Sequence, residues 1–378
     1  MLIRSRYFHM PNRSKKKRNQ ILSRFHLAPI NTGLAPNGIP NEKFIEFYEK
    51  RSGKNIGITY IGNVSIGKNW RTNSNTPCLS PESSEILKKL SSTIESNGSL
   101  PGIQLACRSS KEKPFREWKQ DDANLFLKKV KKQFSKLHKE EIHQIKEAFI
   151  SSAQLSVKLG FKVIQIHAAH GYFLAQLLDD RINGRDDCYG EEPLGLIKEI
   201  ISSIKNAKSE VFLDIRLSLL DGLEDRQVEL KRKYLLIEKI LQMNIDIISI
   251  SNGIYDFNKD FIYPPMEWGH GPFIKDAIPL TQKYPDIIFN LAGNIWDLRK
   301  IPTDIPDNMS FSIGRSLIAD PALIEKSIYG YFDEILWCPR KGSCHYYINR
   351  TSEIYCPLDP SLNINAPSTC ECSKWIKG

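Results

Sequence analysis

The chain has 378 residues, enough for one large barrel-type domain or for two ordinary ones. Its composition, 41% hydrophobic and 25% charged, is that of a globular protein, and no apolar run approaches the ~18 residues a membrane span needs. The formal net charge is +10, but seven of those positives (Arg4, Arg6, Arg13, Lys15, Lys16, Lys17 and Arg18) sit in residues 1–20, which hold no acid. The basicity therefore belongs to a solvated, disordered tail rather than to a nucleic-acid or membrane surface, and that tail lacks the apolar core of a secretory signal. Of the eight cysteines, Cys338, Cys344, Cys356, Cys370 and Cys372 fall in the last 41 residues. A chain of this size has no need of disulfides, so a reducing, cytoplasmic setting is expected.

Beyond the tail, Ser23 to Ile30 reads as a first short strand that ends in Ala-Pro. Pro40 to Lys50 has helical spacing, with Phe44, Phe47 and Tyr48 on one face. Asn55 to Ile61 is a second strand closed by Gly62, Ser83 to Ser96 a helix stopped by Asn97-Gly98, and Gly102 to Ala106 a third strand carrying Gln104. The charged stretch Arg108 to Lys136, with Pro114, Phe115 and Trp118, breaks the rhythm and is expected to pass over the mouth of the domain. Lys139 to Leu159 is a long amphipathic helix, and Gly160 then leads into the β-branched run Val163 to Ile166. Helices over 194–204, 227–243 and 274–283 alternate with strands over 211–217, 245–251, 287–292 and 309–313. A long aromatic loop, Asn252 to Pro272, follows the sixth strand. About eight strand–helix alternations point to a single (β/α)8 TIM barrel over 21–330, preceded by the basic tail and followed by a short Cys-rich extension over 331–378.

Chemistry concentrates where the fourth strand ends, at His167, His170, Gly171 and Tyr172. Two imidazoles and a phenol are costly in an apolar setting unless they are used, and a helix begun after His167 would carry His170 to the same side. Asp187 adds a structural acid nearby. In such a barrel, phosphate is held by the loops after the seventh and eighth strands. Here those loops carry Gly293, Gly314 and Arg315: glycines let backbone N–H groups come close, and arginine pairs with two oxygens.

The string HAAHGYFLAQLL from His167, followed by Asn183, Arg185, Asp187, Tyr189 and Gly190, resembles the signature of the old yellow enzyme family of FMN-dependent oxidoreductases. The resemblance implies FMN as cofactor and NADH or NADPH as hydride donor. Pro29, Ile30 and Asn31 would then lie under the flavin ring, Gly62 would offer a backbone contact, and Gln104 would bond the pyrimidine edge. Arg216 would be the cation beside N1 and the C2 carbonyl. The implied substrate is a small α,β-unsaturated carbonyl compound whose oxygen is held by His167 and His170 while Tyr172 protonates the α-carbon. A phenol suits that role, since an unperturbed pKa of ~10 keeps it protonated at neutral pH.

The family's iron–sulfur branch carries four cysteines after the barrel. Here Lys341 stands where the second would be, and Cys338, Cys344 and Cys356 retain three thiols at shifted spacing, with Cys370 or Cys372 to complete a cluster or zinc site. Two further readings stay open: an iron–sulfur electron-transfer flavoprotein, and a flavin-binding pseudo-enzyme kept for its interactions. Homo-oligomerisation stays open as well.

Overall fold

The structure, a computed structural model, describes residues 20–108, 122–206, 210–340, 344 and 352–362. The basic tail up to residue 19, the 109–121 part of the charged stretch with Pro114, Phe115 and Trp118, Lys341, Cys370 and Cys372 lie outside the described residues.

Eight strands close into one parallel barrel in chain order: β1 (Phe25–Leu27), β2 (Ile58–Ser65), β3 (Leu100–Ala106), β4 (Val163–Ala168), β5 (Phe212–Ser218), β6 (Ile247–Ser251), β7 (Ile288–Ala292) and β8 (Met309–Ile313). Closure is made by β8 against β1, with Phe25, His26 and Leu27 opposite Phe311, Ser312 and Ile313. The helices on the outside include α1 (Glu42–Glu49), α2 (Pro81–Ser96), α3 (Ala123–Phe134), α4 (Lys139–Lys158), α5 (Phe173–Leu178), α6 (Cys188–Glu191), α7 (Pro193–Asn206), α8 (Arg226–Leu241), α9 (Lys259–Ile262), α10 (Ile274–Lys283), α11 (Arg315–Ala319) and α12 (Leu323–Tyr329).

Period-two alternation divides each strand between two environments. Ile164 and Ile166, Ile215 and Leu217, Ile248 and Ile250, and Leu291 join the large core between barrel and helices. Their neighbours point inward and form layers. A separate apolar cluster of Ile58, Tyr60, Val163, Phe212, Ile247 and Ile288 makes the floor. Two residues further along the strands lie Gln165, Asp214, Ser249 and Asn290, all buried. One more step reaches His167, Arg216 and Ser251, also buried. The barrel thus grades from hydrocarbon at its base to hydrogen-bonding groups at its mouth.

Three local expectations need correction. β2 does not stop at Gly62 but runs on to Ser65 through a register shift between Ile61 and Val64. The end of the charged stretch is a true helix, α3, whose first turn is capped by Asp122 accepting from the amides of Asn124 and Leu125. No helix begins after His167: β4 continues to Ala168, His170 takes a left-handed φ of 60°, and α5 starts only at Phe173. Asp187 has a structural part, as expected of it, but in its own loop: it forms an ion pair with Arg185 at 2.6 Å and caps α6 by accepting from the amide of Tyr189.

The described part of the C-terminal extension is fastened to the barrel. Ile354 donates its amide to the Thr32 carbonyl at 2.7 Å. Asp359 meets the fully buried Arg51, whose guanidinium also donates to the carbonyls of Phe47, Leu317 and Ile318. One buried cation thereby joins α1, α11 and the extension.

Candidate active site

The expected site residues come from seven of the eight strands or the loops after them, and strand pairing brings them to one mouth. His167 lies opposite Arg216, and Gln104 opposite Gln165. The ring centroid of His167 is 5.0 Å from that of His170 and 4.8 Å from that of Tyr172. The turn that brings His170 back uses two successive positive-φ residues, His170 and Gly171. At Gly171 an added Cβ would stand 2.7 Å from the Ile254 side chain, so glycine is required there.

Both imidazoles are neutral. Burial pushes the pKa of His167 well down, and the charge on Arg216 pushes it further; for His170, burial acts with His167 and Arg216. His167 Nδ1 has no hydrogen-bond partner among the described residues. His170 Nε2 lies 2.7 Å from the Ser251 hydroxyl, which also accepts from Arg216 Nη2 at 3.1 Å. Arg216 Nε has no acceptor among the described residues. Burial lowers the Arg216 pKa to about 10, against the opposing pull of Asp214.

Under this mouth lies a polar layer. The Asp214 carboxylate accepts through one oxygen from the Tyr60 hydroxyl (2.7 Å), Gln165 Nε2 (2.5 Å) and the Ser249 hydroxyl (2.8 Å). Gln165 in turn accepts from Gln104 Nε2 at 2.6 Å, which fixes the side chain expected to meet a flavin. Burial raises the Asp214 pKa to about 6 despite those three donors and Arg216. Gln165, Asp214, Ser249 and Ser251 were not singled out from the sequence, although each is a polar residue at period two in an otherwise apolar strand.

The remaining expected contacts divide. Gly62 has φ 146°, and a Cβ there would stand 3.0 Å from that of Gln104, so the backbone lies close against β3. Pro29 and Ile30 sit half-buried after β1, where Ile30 O accepts from the Tyr48 hydroxyl at 3.0 Å. Asn31 turns its amide to Thr72 and Thr76, at 3.2 and 2.9 Å. At the other side of the mouth Gly293 has φ 141°, with Phe273 2.9 Å from where its Cβ would be. Gly314 caps α11, and Arg315 donates to Pro264 O at 2.9 Å and Asn294 Oδ1 at 3.3 Å. The buried Arg216 Nε without an acceptor among the described residues, and the tight backbone at Gly62 and Gly293, where an added Cβ would stand 3.0 Å or less from a neighbour, fit a bound planar ring with a phosphate arm.

The C-terminal thiols come close enough to act on one another electrostatically: Cys338 and Cys356 help burial push Cys344 up to about 12, and burial pushes Cys356 up to about 11. All three are free, and no group of three metal-ligating side chains is assembled among the described residues.

The family described as NADH:flavin oxidoreductase / NADH oxidase matches residues 15–334. This chain belongs to that family. Membership implies FMN and a nicotinamide nucleotide as the cofactors. An NADH oxidase of Thermoanaerobacter brockii is 25% identical over 347 residues, 87% of this chain and 52% of the relative. An NADPH dehydrogenase of Geobacillus sp. (strain WCH70) is 26% identical over 221 residues, 57% and 64% of the two chains. The chain spans about half the length of several curated relatives it matches. Among solved structures, Old Yellow Enzyme from Pichia sp. AKU4542 superposes with a TM-score of 0.61 at 16% identity, covering 82% of this chain and 84% of that one. A 2-naphthoyl-CoA reductase gives 0.73 at 19% identity, covering 90% and 55%. These two likenesses speak for the fold. No helix among the described residues is long and apolar enough to cross a membrane.

Proposed function

We propose that this flavin oxidoreductase takes a hydride from NADH or NADPH and reduces the activated C=C bond of an α,β-unsaturated carbonyl compound. The observation carrying this reading is the neutral, buried His167, flanked at 5.0 Å by a second imidazole and at 4.8 Å by a phenol. Bound FMN would supply the hydride chemistry, accepting two electrons from the nicotinamide and passing them to the substrate's β-carbon.

The chain does the rest. Gln104, Gly62 and residues 29–31 would orient the ring, Arg216 would set fixed positive charge at its pyrimidine edge, and Gly293, Gly314 and Arg315 would hold the phosphate. A neutral imidazole carries one N–H. Ser251 accepts from Arg216 and can donate its own proton to His170 Nε2, which leaves the His170 proton on Nδ1. That N–H and one from His167 then meet the substrate oxygen and stabilise enolate charge as it develops. The Tyr172 hydroxyl gives its proton to the α-carbon and is re-protonated from water.

Tyr172→Phe tests the assignment. Turnover of a good enone should fall by about 10²- to 10⁴-fold, the range of a positioned general acid. Bleaching of the flavin by NADPH or NADH in anaerobic rapid mixing should be nearly unchanged. Wild-type enone turnover by the variant removes the proton-donor role, and absence of bleaching in the wild-type protein removes the nicotinamide step.

A further inference from the structure

Just past the barrel lies a buried cation that no described group neutralises. Arg340 is 8% exposed and has a left-handed φ of 56°. Its guanidinium lies 4.1 Å over the ring of Trp296, on the loop that follows Gly293 and Asn294 after β7. Two of its nitrogens, Nε and Nη1, are closed off from water without an acceptor among the described residues. Stacking satisfies the flat face of a guanidinium; it does nothing for the N–H groups along the rim. Burial holds the Arg340 pKa below its ordinary value, Cys338 opposes that, and Arg315 adds to it. The two arginines therefore feel each other's charge.

The surroundings add positive charge rather than cancel it. Lys300 Nζ lies 4.1 Å over the same Trp296 ring; His270, which burial keeps neutral with a pKa lowered to about 4, meets that ring at 5.9 Å with neither of its nitrogens partnered among the described residues. The nearby acid, Asp297, is engaged by Arg299 at 2.8 and 2.9 Å. A sealed, unpaired guanidinium is a large cost unless an anion completes it, and a planar fork matches a phosphate better than a point charge does.

We infer that Arg340 is a second arginine on the terminal phosphate of the bound flavin, closing from the C-terminal extension over the group that Gly293, Gly314 and Arg315 hold from the barrel. This rests on the flavin reading above and extends it to a residue outside the barrel. It also gives the segment after the barrel a task that needs no metal: Arg340 stands two residues beyond Cys338, with its charge turned to the Trp296 loop.

The test compares FMN with riboflavin, which differ only in the phosphate, by fluorescence titration of the flavin-stripped protein. Wild type should bind FMN more tightly than riboflavin. Arg340→Met, which keeps a chain to pack on Trp296, should lose about 10- to 100-fold in FMN affinity, the size of one or two charge-assisted hydrogen bonds, with riboflavin affinity unchanged. Arg340→Lys should recover part of that loss. Equal weakening of both flavins by Arg340→Met would assign Arg340 a structural role and overturn the inference, as would no weakening of either. If Arg340→Met does not fold, Arg340→Lys carries the comparison: an FMN-selective loss supports the clamp, and none overturns it. A wild type that binds both flavins equally also overturns the clamp, whereas one that binds neither overturns the flavin reading itself.

Discussion

Replacing Asp214 with Asn isolates the charge that lies beneath the mouth. The carboxylate is fully buried, and burial raises its pKa from 3.8 to about 6. A folded-state pKa above the unfolded one means that the folded protein holds a proton which the unfolded chain has released across that interval. Stability must then fall as pH rises from about 4 to 6, by ~1.4 kcal/mol for each pKa unit of difference, on the order of 3 kcal/mol in all. Above that window the loss is complete and constant. Asn has nearly the same shape, still offers an oxygen to Tyr60 or Ser249, and does not titrate. The histidines complicate any single profile, because burial lowers the pKa values of His26, His167 and His170 and so makes stability rise with pH in an overlapping range. Subtracting the variant from the wild type cancels them. Urea melts of both proteins at pH 4.5, 5.5 and 7 should show the wild type losing ground to Asp214→Asn by roughly 2 kcal/mol across the series, since about a third of the full loss has already occurred by pH 4.5. A difference that stays flat, or that moves in favour of the wild type as pH rises, would refute the claim that burial dominates over Arg216 and the three donors at this carboxylate.

Two further substitutions probe the frame of the site. At Asp359 the sign is opposite: burial raises its pKa, but the Ser361 hydroxyl and Arg51 together outweigh burial and leave it below 3.8. Its contribution is therefore present above the unfolded pKa and is lost as pH falls; Asp359→Asn should cost about 3 kcal/mol at pH 7, because Arg51 keeps three carbonyl partners, and less at pH 3 when followed by urea unfolding. Gly62→Ala adds a methyl 3.0 Å from Gln104 Cβ at a φ of 146°. It should lower stability by about 1–3 kcal/mol and weaken FMN more than about tenfold, read by thermal melting and flavin fluorescence, whereas unchanged flavin affinity would remove Gly62 from the site.

Much of the barrel was legible because its signal is local. β-branched runs, helix-spaced aromatics and the stops at Gly and Asn gave eight strands in the observed order, with β8 over Met309–Ile313 and α10 over Ile274–Lys283 as expected. The mouth was legible because strand ends and the loops after them follow from strand order: once β4, β5, β7 and β8 are placed, His167, Arg216, Gly293 and Gly314 must converge. Illegible were features decided by a distant partner. Asn31 swings toward Thr72 and Thr76, some forty residues on, and its sequence neighbours carry no trace of that. His170 enters the left-handed region because Gly171 continues the turn under Ile254, a side chain from the loop after β6.

The same distinction explains why the residues that matter most to the site's electrostatics were passed over. Asp214 and Gln165 stand at inward-facing positions of their strands, so their burial could be read from period two alone. Which of the inward groups would share a proton or a charge could not, because that depends on register between strands that are far apart in sequence. Ser251 shows the point: one hydroxyl from β6 touches both His170, beyond β4, and Arg216, on β5. A serine in the run Ile-Ser-Ile-Ser looks like a filler until the sheet closes. Closure makes it the hinge between the cation expected to face the flavin and the imidazole expected to face the substrate. A change at either one must then be felt at the other through a single oxygen.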